Sequence, residues 1–375
     1  MNFPVLKIFI FIFSISLFFS CKKELKKVQN NVEAKNEIKL KYAKGFNIKH
    51  FDNYKKLIIK TPYQYSKETF EYILSNTNSE FKSIQTPVKS VVVTSTTHIP
   101  MLELLGVESK LVGYPNTKYI SSKKTRKLID NGKIKELGNE ENMNTELLLD
   151  LQPDLVIGFS ITSNNKMFTT IEKMGIPVIL NGDWLEETPL GRAEWIKVFG
   201  ALFGKEKEAD YIFNIIEKNY LDATNIAFSS DKKPSIISGG LFKDIWNLPA
   251  GDSFEAEFLK DANTNYLWNN STGKGSLSLN IENVFEKGKD ADLWVSPSFY
   301  TSIEQLEKAS EIYPKFKAFK NRNIYSYTIK KGKFGGIIYF EKAPSRPDLV
   351  LKDLIKIAHP ELLQDYEFTF FERLK

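Results

Sequence analysis

Apolar residues fall along this chain in short runs set between stretches of helical period. The run VKSVVVT at residues 88–94 is β-branched and apolar enough to be buried on both faces, and PDLVIGF at 153–159 and IPVIL at 176–180 share that character. A further strand begins at 110–114. Between these runs, residues 99–105, 146–151 and 167–174 carry apolar positions three and four apart, the spacing of one helix face. Continuous apolar strands alternating with helices predict parallel sheets covered on both faces, and therefore the α/β class. After Asp183 the rhythm breaks. Thr188-Pro189 offers an N-cap followed by a first-turn proline. Ile196, Phe199, Leu202 and Phe203, then Ala209, Ile212, Phe213, Ile216 and Tyr220, keep helical spacing with no strand between them.

The second half repeats the first in outline. SIIS at 235–238 reads as a strand, 254–259 as a helix, 281–285 as a helix and DLWV at 292–295 as a strand. Asn144-Thr145-Glu146-Leu147-Leu148 followed by Pro153-Asp154-Leu155 parallels Asn280-Ile281-Glu282-Asn283-Val284 followed by Ala291-Asp292-Leu293. Such self-similarity predicts two similar α/β lobes with central parallel sheets, bridged by a long helix. The expected divisions are a signal peptide at 1–20, a basic stalk at 21–45, a small β-rich extension at 46–87, an N-terminal lobe at 88–183, a helical bridge at 184–230 and a C-terminal lobe at 231–375. The extension holds a strand near 56–60 and is placed on the N-terminal lobe.

Charge changes the picture only near the N-terminus. The formal charge of +6 invites a nucleic-acid reading, but residues 22–60 hold twelve Lys against four acidic residues, and residues 61–375 are slightly acidic. That distribution argues against a groove tracking phosphates, and no nucleic-acid partner is expected. Ahead of the basic stretch, Lys7 precedes an apolar run at 8–19 that is too short to span a bilayer, which takes about 20 residues, and suits the core of an export signal. The run ends at Ser20-Cys21-Lys22, where the chain's single cysteine follows a small residue. This segment resembles a bacterial lipoprotein signal, with Phe18-Phe19-Ser20-Cys21 as its lipobox. The resemblance implies lipidation of Cys21, a membrane contact through that lipid, and a cell-envelope location facing the periplasm.

The two lobes, the bridging helix and the paired N-x-E-x-(L/V)…(P/A)-D-L elements resemble the helical-linker class of periplasmic binding proteins. Within that class they are similar to the receptors of ferric-siderophore, haem and cobalamin importers. The segments Tyr339-Phe340-Glu341-Lys342-Ala343-Pro344-Ser345-Arg346-Pro347-Asp348 and Gly182-Asp183-Trp184…Thr188-Pro189-Leu190-Gly191-Arg192 carry the same resemblance, which covers residues 88–375. It implies a monomeric receptor, not an enzyme, that hands a metal chelate or macrocycle to a permease and its ATPase. No cofactor of its own is implied, any metal arriving inside the ligand. It also implies that Glu146 and Glu282, at matched places in the two lobes, meet arginines on the two transmembrane subunits.

Ligands of open parallel sheets sit beyond the carboxyl ends of the strands. That rule selects Thr96, Thr97 and His98, then Tyr114, Phe159 and Ser160, Trp184, Trp246, Tyr300, Phe334 and Tyr339. Aromatic residues recur among them, which suits a planar ligand. In the resembling family ligand-contacting aromatics fall at the places of Tyr114, Phe159 and Trp246. Arg192, on the bridge, is a candidate contact for an acidic ligand edge or an ordinary ion-pair partner. An enzyme anchored at the envelope is the alternative, with Thr96-Thr97-His98 as a hydrolytic loop. No G-x-S-x-G, P-loop or G-x-G-x-x-G accompanies it. A receptor for a bare metal ion needs three or four converging ligands, whereas His50, His98 and His359 lie in separate segments, and no protein-held metal is expected.

Overall fold

The computed structural model describes residues 34–77, 83–162 and 165–375. The signal peptide, Cys21 and the first part of the stalk lie outside these residues. The chain next forms a five-stranded sheet, β1 (Asn36–Glu37), β2 (Phe46–His50), β3 (Lys55–Ile59), β4 (Phe70–Ser75) and β5 (Ile84–Gln85), in sequential order. Alternation aims Phe46, Ile48, Leu57 and Ile59 at one face, and all four are fully buried.

Residues 34–45 therefore belong to the fold, and the solvated stalk expected through residue 45 stops short of them. The amides of Lys41, Tyr42 and Ala43 donate to the Glu194 carboxylate at 2.8–3.2 Å, and those of Lys44 and Gly45 to Glu186 at 2.8–3.0 Å. The ordering groups are backbone N–H donors, which a Lys-rich side-chain pattern does not reveal. Two carboxylates this buried require such partners. The sheet also sits on the bridge as much as on the N-terminal lobe. Phe46 packs 4.8 Å from the Trp195 ring of the bridge, and on the side of the lobe the Tyr72 hydroxyl accepts from the Leu180 amide at 3.3 Å. At Gly182 a β-carbon would stand 2.0 Å from the Thr61 carbonyl oxygen, so only glycine lets the two segments approach this closely.

The N-terminal lobe runs β6 (Val91–Val93), α1 (His98–Leu104), β7 (Leu111–Tyr114), α2 (Lys123–Asp130), β8 (Lys135–Glu136), α3 (Thr145–Leu151), β9 (Leu155–Gly158), α4 (Lys166–Lys173) and β10 (Val178–Leu180). Its sheet is parallel throughout, in the order β10-β9-β6-β7-β8. The bridge is α5 (Pro189–Glu194), α6 (Ile196–Phe203) and α7 (Glu206–Ala227). Thr188 caps α5, accepting from the Gly191 amide at 3.0 Å. Every residue of α6 is buried, and α6 stops at Gly204, whose φ of 66° is the left-handed conformation glycine adopts freely.

The C-terminal lobe contains β11 (Ser235–Ser238), β12 (Gly240–Phe242), β13 (Ile245–Pro249), α8 (Phe254–Asp261), β14 (Asn265–Tyr266), β15 (Ser276–Leu279), α9 (Ile281–Gly288), β16 (Leu293–Val295), α10 (Ile303–Ala309), α11 (Lys317–Lys320), β17 (Ile324–Ser326), α12 (Ile338–Lys342), α13 (Pro347–Ala358) and β18 (Glu372–Arg373). Its main sheet, β14-β11-β16-β17-β18, is parallel except for β18. A separate antiparallel sheet, β12-β13-β15, is an addition that the strand-and-helix pattern does not reveal. The expected α/β architecture of two lobes with central parallel sheets and a helical linker is the one observed, and α7 packs against both α6 and α13.

Candidate functional site

The strand ends of the N-terminal lobe, the bridge and the helices of the C-terminal lobe together enclose a cleft of ≈ 340 Å³, low in the range usual for small-ligand sites. Thr96 and Thr97 reach it from the loop after β6, Arg192 from α5, Phe254, Glu255 and Phe258 from the first turns of α8, and Tyr339 from α12. Phe254 and Phe258 are one helical turn apart and so share a face. Arg192 is held on all sides: its Nη2 donates to the Trp184 carbonyl at 2.7 Å, its Nε to the Glu186 carbonyl at 3.4 Å, and its guanidinium lies 3.5 Å from the Phe254 ring centroid. Tyr339 stacks on Tyr327 at 4.1 Å, the planes 11° apart. Its hydroxyl is pushed far above the ordinary range, by burial first and by the Glu255 charge second.

The lobes also touch beside the cleft. The buried Glu341 carboxylate accepts from the amides of Ser121 at 2.5 Å and Ser122 at 2.9 Å, and the Ser121 hydroxyl donates to the Gly336 carbonyl at 2.9 Å. Burial raises the Glu341 carboxyl to about 7, the two amides offsetting part of the effect.

Of the residues selected from sequence, Thr96, Thr97, Arg192 and Tyr339 meet at the cleft. Trp184 lies behind it, fixing Arg192 through its carbonyl. The others are elsewhere. His98 is fully buried, 5.7 Å from the Phe199 ring, and burial alone lowers its pKa to about 3, leaving a neutral ring packed in the core. Tyr114 is buried at the end of β7, near Glu140, Glu341 and Glu136. Ser160 turns its hydroxyl onto the Thr162 carbonyl at 2.7 Å, and the neighbouring Phe159 is half-buried outside the cleft lining. Trp246 is a core residue: it is fully buried, 5.2 Å from Trp294 and 5.7 Å from Tyr313 and Phe316, with Nε1 donating to the Ser238 carbonyl at 3.0 Å. The β12–β13 hairpin turns it inward, which the rule of strand ends does not anticipate. Tyr300 rests edge-on against Tyr313 at 6.2 Å. Phe334 is half exposed beneath the Arg126 guanidinium, 4.8 Å away. The α8 residues escape a rule that looks to loops; the available signal was Ser253, an N-cap ahead of two phenylalanines at i and i+4.

Glu146 and Glu282 both stand exposed in the first turn of their helices, α3 and α9, and neither forms an ion pair among the described residues. Among the described residues no group of three or more His, Cys, Asp or Glu gathers to hold a metal ion, and no helix is long and apolar enough to cross a membrane. His359 is fully buried, its Nε2 3.1 Å from the Ala262 carbonyl oxygen.

Two α/β lobes joined by a helical bridge, with a cleft lined by both lobes and the bridge, define a solute receptor. The chain belongs to the periplasmic binding protein family, whose model matches residues 91–329. It is similar to an uncharacterized lipoprotein of Methanocaldococcus jannaschii, 26% identical over 362 residues that span 88% of this chain and 84% of the relative. Among solved structures it is similar to a possible iron-binding periplasmic solute-binding protein from Staphylococcus epidermidis, with a TM-score of 0.58 at 19% identity, covering 73% of this chain and 100% of that one. The periplasmic haem-binding protein HutB of Vibrio cholerae gives a TM-score of 0.54 at 16% identity, covering 70% of this chain and 99% of that one. The chain is thus a solute-binding protein of the ABC-transporter type rather than an enzyme, works outside the cytoplasm at the cell envelope, and has a small-molecule ligand and a permease with its ATPase as partners.

Proposed function

We propose that the ligand is a metal chelate or macrocycle, of the kind represented by ferric siderophores, haem and cobalamin, and that the receptor is a monomer tethered through a lipid on Cys21. The observation that carries the reading is the composition of the cleft: four aromatic side chains, two threonines and an arginine already oriented by the backbone line one space between the lobes. Large rings offer apolar area and stacking to a broad ligand, and the few polar groups set its orientation. The iron- and haem-binding descriptions of the similar structures support the same class. A bare-ion receptor is disfavoured by the scattered histidines. Visible absorption of the purified protein during titration with haem, cobalamin and ferric siderophores tests the reading; saturable binding of at least one is expected, and binding of none overturns it. For the tether, Cys21→Ser is expected to move the protein from the membrane fraction to the soluble one or to block its processing, because stable attachment requires more than one acyl chain. Wild-type protein found wholly soluble would remove the lipid from the proposal.

A further inference from the structure

The C-terminal lobe holds a second, smaller space behind the cleft. Among apolar core side chains, Ser238 and Ser296, at the ends of β11 and β16, border a space of ≈ 20 Å³ together with Tyr327, Glu255, Phe258 and Tyr339. The last three also line the main cleft, so the chamber and the cleft share a wall. Such a volume admits a single group the size of a water molecule. A protonated primary amine is of that size.

Charge decides which group fits. Arg192, the cation of the cleft, is not among the residues that line the chamber. Its guanidinium is already bonded to two carbonyls, stacked on Phe254, and flanked by Asp183, Glu255 and Glu186. Little positive charge is left over for an acidic ligand. The Glu255 carboxylate is in the opposite position: it accepts no hydrogen bond from any described residue. Burial holds its carboxyl above the ordinary carboxylate range, with Arg192 offsetting part of this, and an arriving positive group would draw it back to the ionised form. Aromatic rings beside a carboxylate that accepts no hydrogen bond, with hydroxyls at the same space, suit a cation: the rings attract it through their electron-rich faces and the acid through a charge-assisted hydrogen bond.

We infer that the chamber receives a protonated amine of the transported ligand, so that the cleft takes amine-bearing chelates in preference to polyanionic ones. This rests on the chelate reading of the cleft. The test compares four probes by fluorescence titration: ferrioxamine B, a ferric trihydroxamate ending in a free amine; the same complex with that amine acetylated; haem; and a ferric tricatecholate. The free amine is expected to bind about tenfold tighter than its acetylated form, a difference of roughly 1.4 kcal/mol. In Glu255→Gln the two should bind alike, at an unchanged unfolding temperature. Equal affinities in the wild type, or tighter binding of haem or the tricatecholate than of the free amine, would overturn the amine assignment while leaving a chelate receptor standing. Binding of none of the four, nor of cobalamin, would overturn the chelate reading itself. The comparison of free and acetylated amine needs no variant, so it decides the matter even if Glu255→Gln fails to fold.

Discussion

The two lobes are built around the same joint. In the N-terminal lobe Asp154, just ahead of β9, accepts from the amides of Lys89 at 2.7 Å and Ser90 at 3.1 Å, and its own amide donates to the carbonyl and hydroxyl oxygens of Ser90. In the C-terminal lobe Asp292, just ahead of β16, accepts from the amide of Ser235 at 2.9 Å and its hydroxyl at 2.7 Å, and its amide donates back to the same serine. Before each joint stands an Asn-capped helix, with Asn144 accepting from Leu147 and Asn280 from Asn283. Past the strands the likeness ends. β6 leads into Thr96 and Thr97, which face the cleft, whereas β11 leads into the β12–β13 hairpin and an inward tryptophan. The entry ends of the strands repeat because they lock neighbouring strands together, a demand both lobes share. The exit ends carry no such shared demand: those of the N-terminal lobe line the cleft, whereas the hairpin after β11 closes over the core of its own lobe.

The largest effect is expected where the repeat is exposed. Glu146 and Glu282 follow the two capping asparagines, yet neither carboxylate has an ionic partner among the described residues. A lone carboxylate in a helix's first turn is stabilised by about 0.3–1 kcal/mol, which accounts well for one such glutamate and less well for the same position being acidic in both lobes. Changing both to Ala should reduce uptake at least tenfold while ligand affinity is retained and stability falls by no more than about 2 kcal/mol, the sum of the two dipole contributions. Complementary charges fix orientation more than they add affinity, so each single variant should retain intermediate uptake. Full uptake by the double variant at wild-type abundance would show that the matched glutamates are not the docking contacts.

The next effect separates the exit ends. Trp246→Ala should cost about 3–5 kcal/mol of stability, the usual loss for a fully buried large aromatic, and urea denaturation measures it. Phe254→Ala, by contrast, should leave most of the stability in place and weaken capture of the ligand by about tenfold, in calorimetry, as a truncated aromatic anchor does. A Trp246 variant that kept its stability but lost the ligand would return that side chain to the cleft.

The joints themselves come third. Asp154→Ala strands two amides at a strand entry, Asp292→Ala strands an amide and a hydroxyl there besides Lys317, and each should cost about 1–3 kcal/mol. Comparable losses in the two variants would support the equivalence of the joints; a loss confined to one would break it.

Much of this architecture was legible because it depends on side-chain pattern. Buried parallel strands are apolar without interruption, as at Val91–Val93, and the joints appear as Asp-Leu after a helix. The cleft was legible only in part. Thr96, Thr97, Arg192 and Tyr339 could be found from strand ends and from the resemblance, but Glu255 stands in the first turn of a helix, α8, where a rule that looks to strand ends does not reach. The ordering of residues 34–45 was hidden for a different reason. It depends on backbone amides meeting carboxylates more than 140 residues away, and amides are the same in every sequence.

The smallest effect lies in the one respect in which the joints differ. Asp292 also pairs with Lys317 at 2.6 Å, and no described cation pairs with Asp154. Both members of the pair are well exposed, so solvent and salt screen it, and Lys317→Ala should shift the unfolding temperature by about 1 °C or less. Its pH dependence is the more informative reading. Burial alone would raise the Asp292 carboxyl, but the Lys317 and Ser235 donors outweigh it and hold the group below its ordinary 3.8. A depressed carboxylate contributes stability that is present above the unfolded value and is lost as pH falls through the folded one. The small difference between wild type and Lys317→Ala should therefore be constant above about pH 4, and should vanish in stronger acid. Thermal melts across that range, at low salt, measure it; a difference that grew on acidification would mean that Lys317 acts through some group other than Asp292.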